Sequence, residues 1–206
     1  MNWTQAGFTL AGQHVLWIDL VGNACALTTV WLAMKRTIWT WPVQLVGSVL
    51  LFVASIEAHI TGNALKQAMF GLLAVYGWVR WIGGTKDGKT LPVRPGTTGE
   101  RLTLIAVMVV ATGLVALFFS ATGWSWAPLP DAYIFVGSAI ATYAQGRALI
   151  DFWWIWIAVD LVGVPLAFSS GLVVSGVVYG VFFVMVLLGI REWRRQYSRR
   201  LEVVTV

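Results

Sequence analysis

Long apolar stretches separated by short polar ones run along almost the whole chain. Seven of them, Val15–Met34, Thr37–Ile56, Gly62–Ile82, Leu102–Ser120, Asp131–Gly146, Ala148–Phe168 and Gly171–Ile190, carry few charged side chains. A helix needs about 20 such residues to cross a hydrocarbon core of about 30 Å. The pattern therefore predicts an all-α integral membrane protein with seven transmembrane helices. Two polar segments stand apart: residues 83–101, "GGTKDGKTLPVRPGTTGER", read as a linker, and the basic tail 191–206.

Composition agrees with this reading. Of 206 residues 58% are apolar and 11% charged, with a mean hydropathy of +0.77, which leaves little chain for a soluble domain. The net charge of +5 would fit a nucleic-acid partner, but its distribution has another cause. Lys and Arg collect on the cytoplasmic side of short loops. When the loops are assigned alternately to two sides, all but one of the 14 basic residues fall on one side, Lys66 being the exception. The N-terminus is expected outside the cell membrane and the C-terminus in the cytoplasm. The basic excess is thus a topogenic signal, the lipid bilayer is a partner, and nucleic acid is not. The first ten residues, "MNWTQAGFTL", lack a basic n-region, so no removable signal peptide is expected. Cys25, the lone cysteine, is read as a packing residue.

The two sides of the linker look like copies. Val21–Gly22 is followed 19 residues later by Trp41, and Val136–Gly137 by Trp156 at the same spacing; "GWVRW" (Gly77–Trp81) and "GIREW" (Gly189–Trp193) then close each half. Three helices per copy makes the repeat parallel, and such repeats hold a solute between them near the midplane. The expected plan is 3-1-3: residues 1–82 a first repeat, 83–101 the linker, 102–120 a connecting helix, 121–190 a second repeat and 191–206 the tail.

At 100° per residue, Trp153, Trp156, Asp160 and Gly163 fall within about 80° of one another, while Trp154 points elsewhere. Trp41, Gln44 and Ser48 form the corresponding stripe of the second span. Gln67 lies on a polar face of the third, Gln145 on one of the fifth, and Tyr179 on the seventh. Trp41, Gln44, Gln67, Gln145, Trp153, Trp156, Asp160 and Tyr179 are therefore the candidate substrate-binding residues. Asp160 stands out, because a carboxylate deep in a span is costly unless paired or facing a wet cavity. The glutamines can equally serve as interhelical glue. Trp153 can equally join the interfacial aromatic belt, to which Trp3, Trp17, Trp39, Trp78, Trp81, Trp124, Trp126 and Trp193 are assigned. Asp19, Glu57, Asp131 and Asp151 sit near span ends, within reach of headgroups or water. His14 and His59 are isolated, and there is neither a P-loop nor a His/Cys cluster with metal spacing. No metal, cofactor or catalytic residue is expected; a non-transporting sensor or an intramembrane enzyme is the remote alternative to a carrier.

The run "AQGRALIDFWWIWIAVDLVG" (Ala144–Gly163), the following "SGLVVSGVVYGVFFVMVLLGIREW" and "YGWVRW" (Tyr76–Trp81) resemble the PnuC family of vitamin transporters. The resemblance implies a SWEET-like fold, homotrimers, and import of nicotinamide riboside by facilitated diffusion, trapped by intracellular phosphorylation. Thiamine and riboflavin are the alternatives on the same fold. SWEET-type proteins often hinge on a Pro-Gln pair; this chain has "WPVQ" (Trp41–Gln44) in its place.

Overall fold

The structure, a computed structural model, describes residues 6–10, 13–57, 61–84, 92–169 and 173–204. Trp3, His59, Lys86, Lys89 and the side chain of Asp19 lie outside the described residues. The chain divides into two compact units, Met1–Thr90 and Leu91–Val206.

The first unit holds β1 (Gly7–Leu10), β2 (Gln13–Leu16), α1 (Trp17–Met34), α2 (Thr40–Glu57) and α3 (Thr61–Gly84). The two strands pair antiparallel, with Gly7 opposite Leu16 and Thr9 opposite His14. This hairpin corrects the first span, which was expected to begin at Val15. Ala11–Gly12 is not one of the usual two-residue hairpin turns, and the long apolar stretch that follows hides the two short strands. Small residues let the helices approach closely. Gly22 lies under Leu51, and Gly47 against Cys25. Asn63 Nδ2 donates to Ser55 Oγ across 2.7 Å, joining α3 to α2. As residue numbers rise on one helix they fall on its neighbour, so both pairs are antiparallel.

The second unit holds α4 (Thr98–Thr122), α5 (Pro128–Gly146), α6 (Phe152–Ser169) and α7 (Val173–Val204), each packed on the next. By length and composition α2 and α4 each suffice to cross a bilayer, and α1 and α6 contribute the shorter apolar stretches Leu20–Met34 and Phe152–Leu166. Two boundaries differ from expectation. α4 starts inside the supposed linker, because Thr97 and Glu100 form a capping box that satisfies two backbone N–H groups. α7 continues through the supposed tail as helix. Gly123 ends α4 in the left-handed conformation (φ 70°) that a residue without Cβ adopts freely.

The start of α6 is held by a polar clasp. Arg94 donates two hydrogen bonds of 2.7 Å to Glu100, and Arg147 donates a third of 2.8 Å to the same carboxylate. Asp151 accepts from Arg101 Nε and from the Gly96 N–H, each at 2.6 Å. Between these, Arg94 N–H donates to the Ala148 carbonyl and Ile150 N–H to the Arg94 carbonyl. Segment 92–97 is thereby tied to the turn between α5 and α6. The bond to Glu100 raises the Arg94 pKa, outweighing desolvation, so its charge is fixed. Asp151, expected to face headgroups or water, is instead a structural anchor one residue before α6.

Candidate functional site

Each unit carries the same aromatic packing unit. In the first, the Trp41 ring lies so close over Gly77 that a Cβ there would sit 2.3 Å from the ring carbons; Trp81 meets it edge-on at 5.4 Å. In the second, Trp153 covers Gly189 at the same 2.3 Å, with Trp193 edge-on at 5.9 Å and Phe152 tilted against it at 4.3 Å. Trp41 and Trp153 are 0% and 1% exposed. These contacts fix the counterparts: a uniform shift of 112 residue numbers carries Trp41 to Trp153, Gly77 to Gly189 and Trp81 to Trp193. The same shift carries the Cys25–Gly47 contact to Gly137–Val159, with the small partner exchanged. It also carries Arg36 to Ala148, the left-handed non-glycine residues after α1 and α5. The counterpart of Trp41 in packing is thus Trp153, whereas spacing from the Val-Gly pairs had aligned Trp41 with Trp156.

Trp81 and Trp193 were assigned to the interfacial belt, and the structure corrects both. Each is buried against its unit's central tryptophan, because the Gly-x-x-x-Trp spacing sets Gly and Trp one turn apart on the face that meets the preceding helix. Trp17, Trp39, Trp124 and Trp126 are exposed, as belt residues are.

On α6, Trp156 is half-buried one turn after Trp153, and Asp160 follows a turn later at 5% exposure. Trp154 faces outward, 51% exposed. Asp160 is the one acidic or basic side chain buried among the described residues. Its Oδ2 has no hydrogen-bond partner among them, and neither has Gln145 Nε2 or Trp153 Nε1. Buried polar atoms are nearly always satisfied; these three lie on α5 and α6, and Trp41 Nε1 and Thr112 Oγ1 share their state among the described residues. Ser138 and Thr142 are buried on α5, the Thr142 hydroxyl being used up on the Ser138 carbonyl. Tyr179 is half-buried on α7. In the first unit Gln67 and Ser48 are buried and Gln44 half-buried. The shift of 112 sets Gln44, Ser48 and Gln67 at the positions of Trp156, Asp160 and Tyr179. Among the described residues no group of His, Cys, Asp and Glu is placed to hold a metal.

Comparison with known proteins adds to this geometry. Residues 16–195 match the model of a family described as nicotinamide mononucleotide transporter. The chain is 48% identical over 198 residues to the riboflavin/roseoflavin transporter RibM of Streptomyces davaonensis, covering 94% of this chain and 92% of that one. It is 22% identical over 207 residues to the nicotinamide riboside transporter PnuC of Escherichia coli, covering 88% and 87%. The crystal structure of a vitamin B3 transporter PnuC superposes with a TM-score of 0.71 at 18% identity, over 89% of this chain and 83% of that one.

Proposed function

The chain belongs to the PnuC family of membrane vitamin transporters, and on that premise we propose that it carries riboflavin by facilitated diffusion, with intracellular phosphorylation trapping the solute. The observation that carries this reading is the 48% identity to the riboflavin/roseoflavin transporter over almost the full length of both chains. The site chemistry suits it. A flat isoalloxazine ring system can stack on Trp156, and the hydroxyls of a ribityl chain can donate to Asp160 and accept from Gln145. Among the described residues no Lys or Arg is buried in a helix to meet a phosphate, which supports the free vitamin over a mononucleotide.

A second reading, nicotinamide riboside, is favoured by the buried carboxylate beside an aromatic ring, a pairing that would also suit a cationic pyridinium. Fluorescence titration of the purified protein separates them. Riboflavin emission is expected to be quenched saturably, and excess nicotinamide riboside to leave the quench in place. Quenching absent, with nicotinamide riboside binding by calorimetry, would transfer the function to the second reading.

The 3-1-3 plan with parallel SWEET-like repeats belongs to this proposal. It is supported by the constant shift of 112 relating the tryptophan, glycine and turn contacts of the two units. Under it, one repeat offers amide and hydroxyl groups where the other offers an aromatic ring and an acid. Homotrimeric assembly is proposed likewise, as the family resemblance implies. An outside N-terminus and cytoplasmic C-terminus are proposed from the basic residues. Single cysteines introduced at Thr98 or Gly99 in a Cys25→Ala background are expected to resist an impermeant thiol reagent in intact cells and to react after lysis. Ready labelling in intact cells would reverse the orientation.

A further inference from the structure

α7 spans 32 residues, about 48 Å at 1.5 Å per residue, against a hydrocarbon core of about 30 Å. Its apolar stretch ends at Ile190, so the surplus is the C-terminal part that follows. At 100° per residue Arg191, Arg194, Arg195 and Arg199 fall within an arc of about 140°. Trp193, buried against Trp153 and Phe152, points the opposite way. All four arginines are exposed, and none joins the salt bridges formed among the described residues. In this they differ from Arg94, Arg101 and Arg147, whose charges the clasp absorbs. Glu192, at the flank of the arc, accepts a hydrogen bond from Gln196.

A second observation sets the height of this face. The Arg194 guanidinium lies over the exposed ring of Trp154, 5.4 Å from its centroid. An exposed tryptophan settles at the headgroup level, and the cation–π contact holds Arg194 beside it. The arginine face therefore begins at the depth of lipid phosphates.

We infer that Arg191, Arg194, Arg195 and Arg199 form a docking surface for anionic phospholipid headgroups, with Trp154 fixing Arg194 for bidentate contact to a phosphate. The surface is independent of the solute carried. A protein or nucleic-acid partner would not need the face to start one residue past the apolar stretch, beside an interfacial tryptophan.

Thermal unfolding of the full chain in a neutral detergent tests this, with phosphatidylglycerol, phosphatidylcholine or inorganic phosphate added. Phosphatidylglycerol is expected to raise the midpoint by several degrees, and the other two to leave it unchanged. The shift should shrink by half or more in high salt, since exposed charges are screened. An Arg191→Gln/Arg194→Gln/Arg195→Gln/Arg199→Gln variant should lose the shift, while Lys35→Gln/Arg80→Gln keeps it. Arg194→Gln and Trp154→Ala, each tested alone, should reduce it and serve if the fourfold variant does not fold. An equal shift with phosphatidylcholine, a shift with inorganic phosphate alone, or full retention in the fourfold variant or in both single variants would overturn the inference.

Discussion

Asp160→Ala is expected to lose nearly all transport, while Asp160→Asn retains a measurable part. The carboxylate is 5% exposed, and its Oδ2 has no protein partner among the described residues. Alanine removes the acceptor, so a ligand hydroxyl brought to that place is desolvated without compensation, at about 1–3 kcal/mol. Asparagine keeps the size and one acceptor oxygen while removing the charge. Uptake of labelled riboflavin into proteoliposomes, at matched protein levels, reads the difference. Equal loss in the two variants would show that the charge, not the hydrogen bond, is required, and would favour a cationic solute. The same assay without a pH gradient should show wild-type transport persisting. A proton relay needs a succession of ionisable groups, and Asp160 is the one acidic or basic side chain buried among the described residues. Accumulation driven by an imposed proton gradient and abolished in Asp160→Asn would make it a proton carrier instead.

Gly189→Ala is expected to destabilise the second unit by about 1–3 kcal/mol, the usual cost of overpacking. An added methyl would lie 2.3–2.6 Å from three carbons of the six-membered part of the Trp153 indole. That ring cannot move aside, because Trp193 and Phe152 hold its other contacts. Combining Gly189→Ala with Trp153→Phe should recover part of the loss, since phenylalanine lacks the outer carbons that clash. Gly77→Ala should behave alike and be relieved by Trp41→Phe. Gly113, which has open space around it on α4, is the control: alanine there should be neutral or stabilising. Thermal unfolding in detergent measures all five variants. A neutral Gly189→Ala, or a double variant no better than the single, would mean that the two rings are not the fixed cores they look to be.

Much of this fold was legible, for a simple reason. In a bilayer every backbone polar group must be satisfied within its own segment, so apolar length alone announces helices. All seven helices lie where the apolar stretches do. Boundaries were less legible, because charge ends an apolar count without ending a helix: α7 continues past Ile190 through its arginines, and α4 begins at Thr98, four residues before Leu102. The capping signature Thr97-x-x-Glu100 was readable but lay within a segment taken for a linker. The α6 stripe of Trp153, Trp156 and Asp160 followed from helical geometry, and the structure sets these residues on successive turns. What spacing could not tell was which tryptophans are buried against a neighbouring helix and which are half-buried or exposed. Trp81 and Trp193 near helix ends looked like belt residues. Their burial depends on Gly77 and Gly189 admitting a ring from the neighbouring helix, a contact between elements that no single-helix pattern contains.

The clasp at the start of α6 gives its arginines a history. Arg94 precedes α4 and Arg101 lies in its first turn, yet the carboxylate partner of Arg101 is Asp151, which leaves the ribosome about 50 residues later. Until α5 and the turn after it exist, that anchor cannot form, and Arg101 stands as an open positive charge beside a helix being inserted. It can then direct orientation, as free basic residues do. Once Asp151 arrives, the charges of Arg94, Arg101 and Arg147 are set against Glu100 and Asp151, so that two of the three positive charges are balanced. On the proposed orientation, the same side chains would act first as a topogenic signal and later as a fastening. An Asp151→Asn variant is expected to show the same thiol labelling at Thr98 as the unaltered chain but to unfold at a lower temperature, because only the fastening of the finished helices needs that carboxylate.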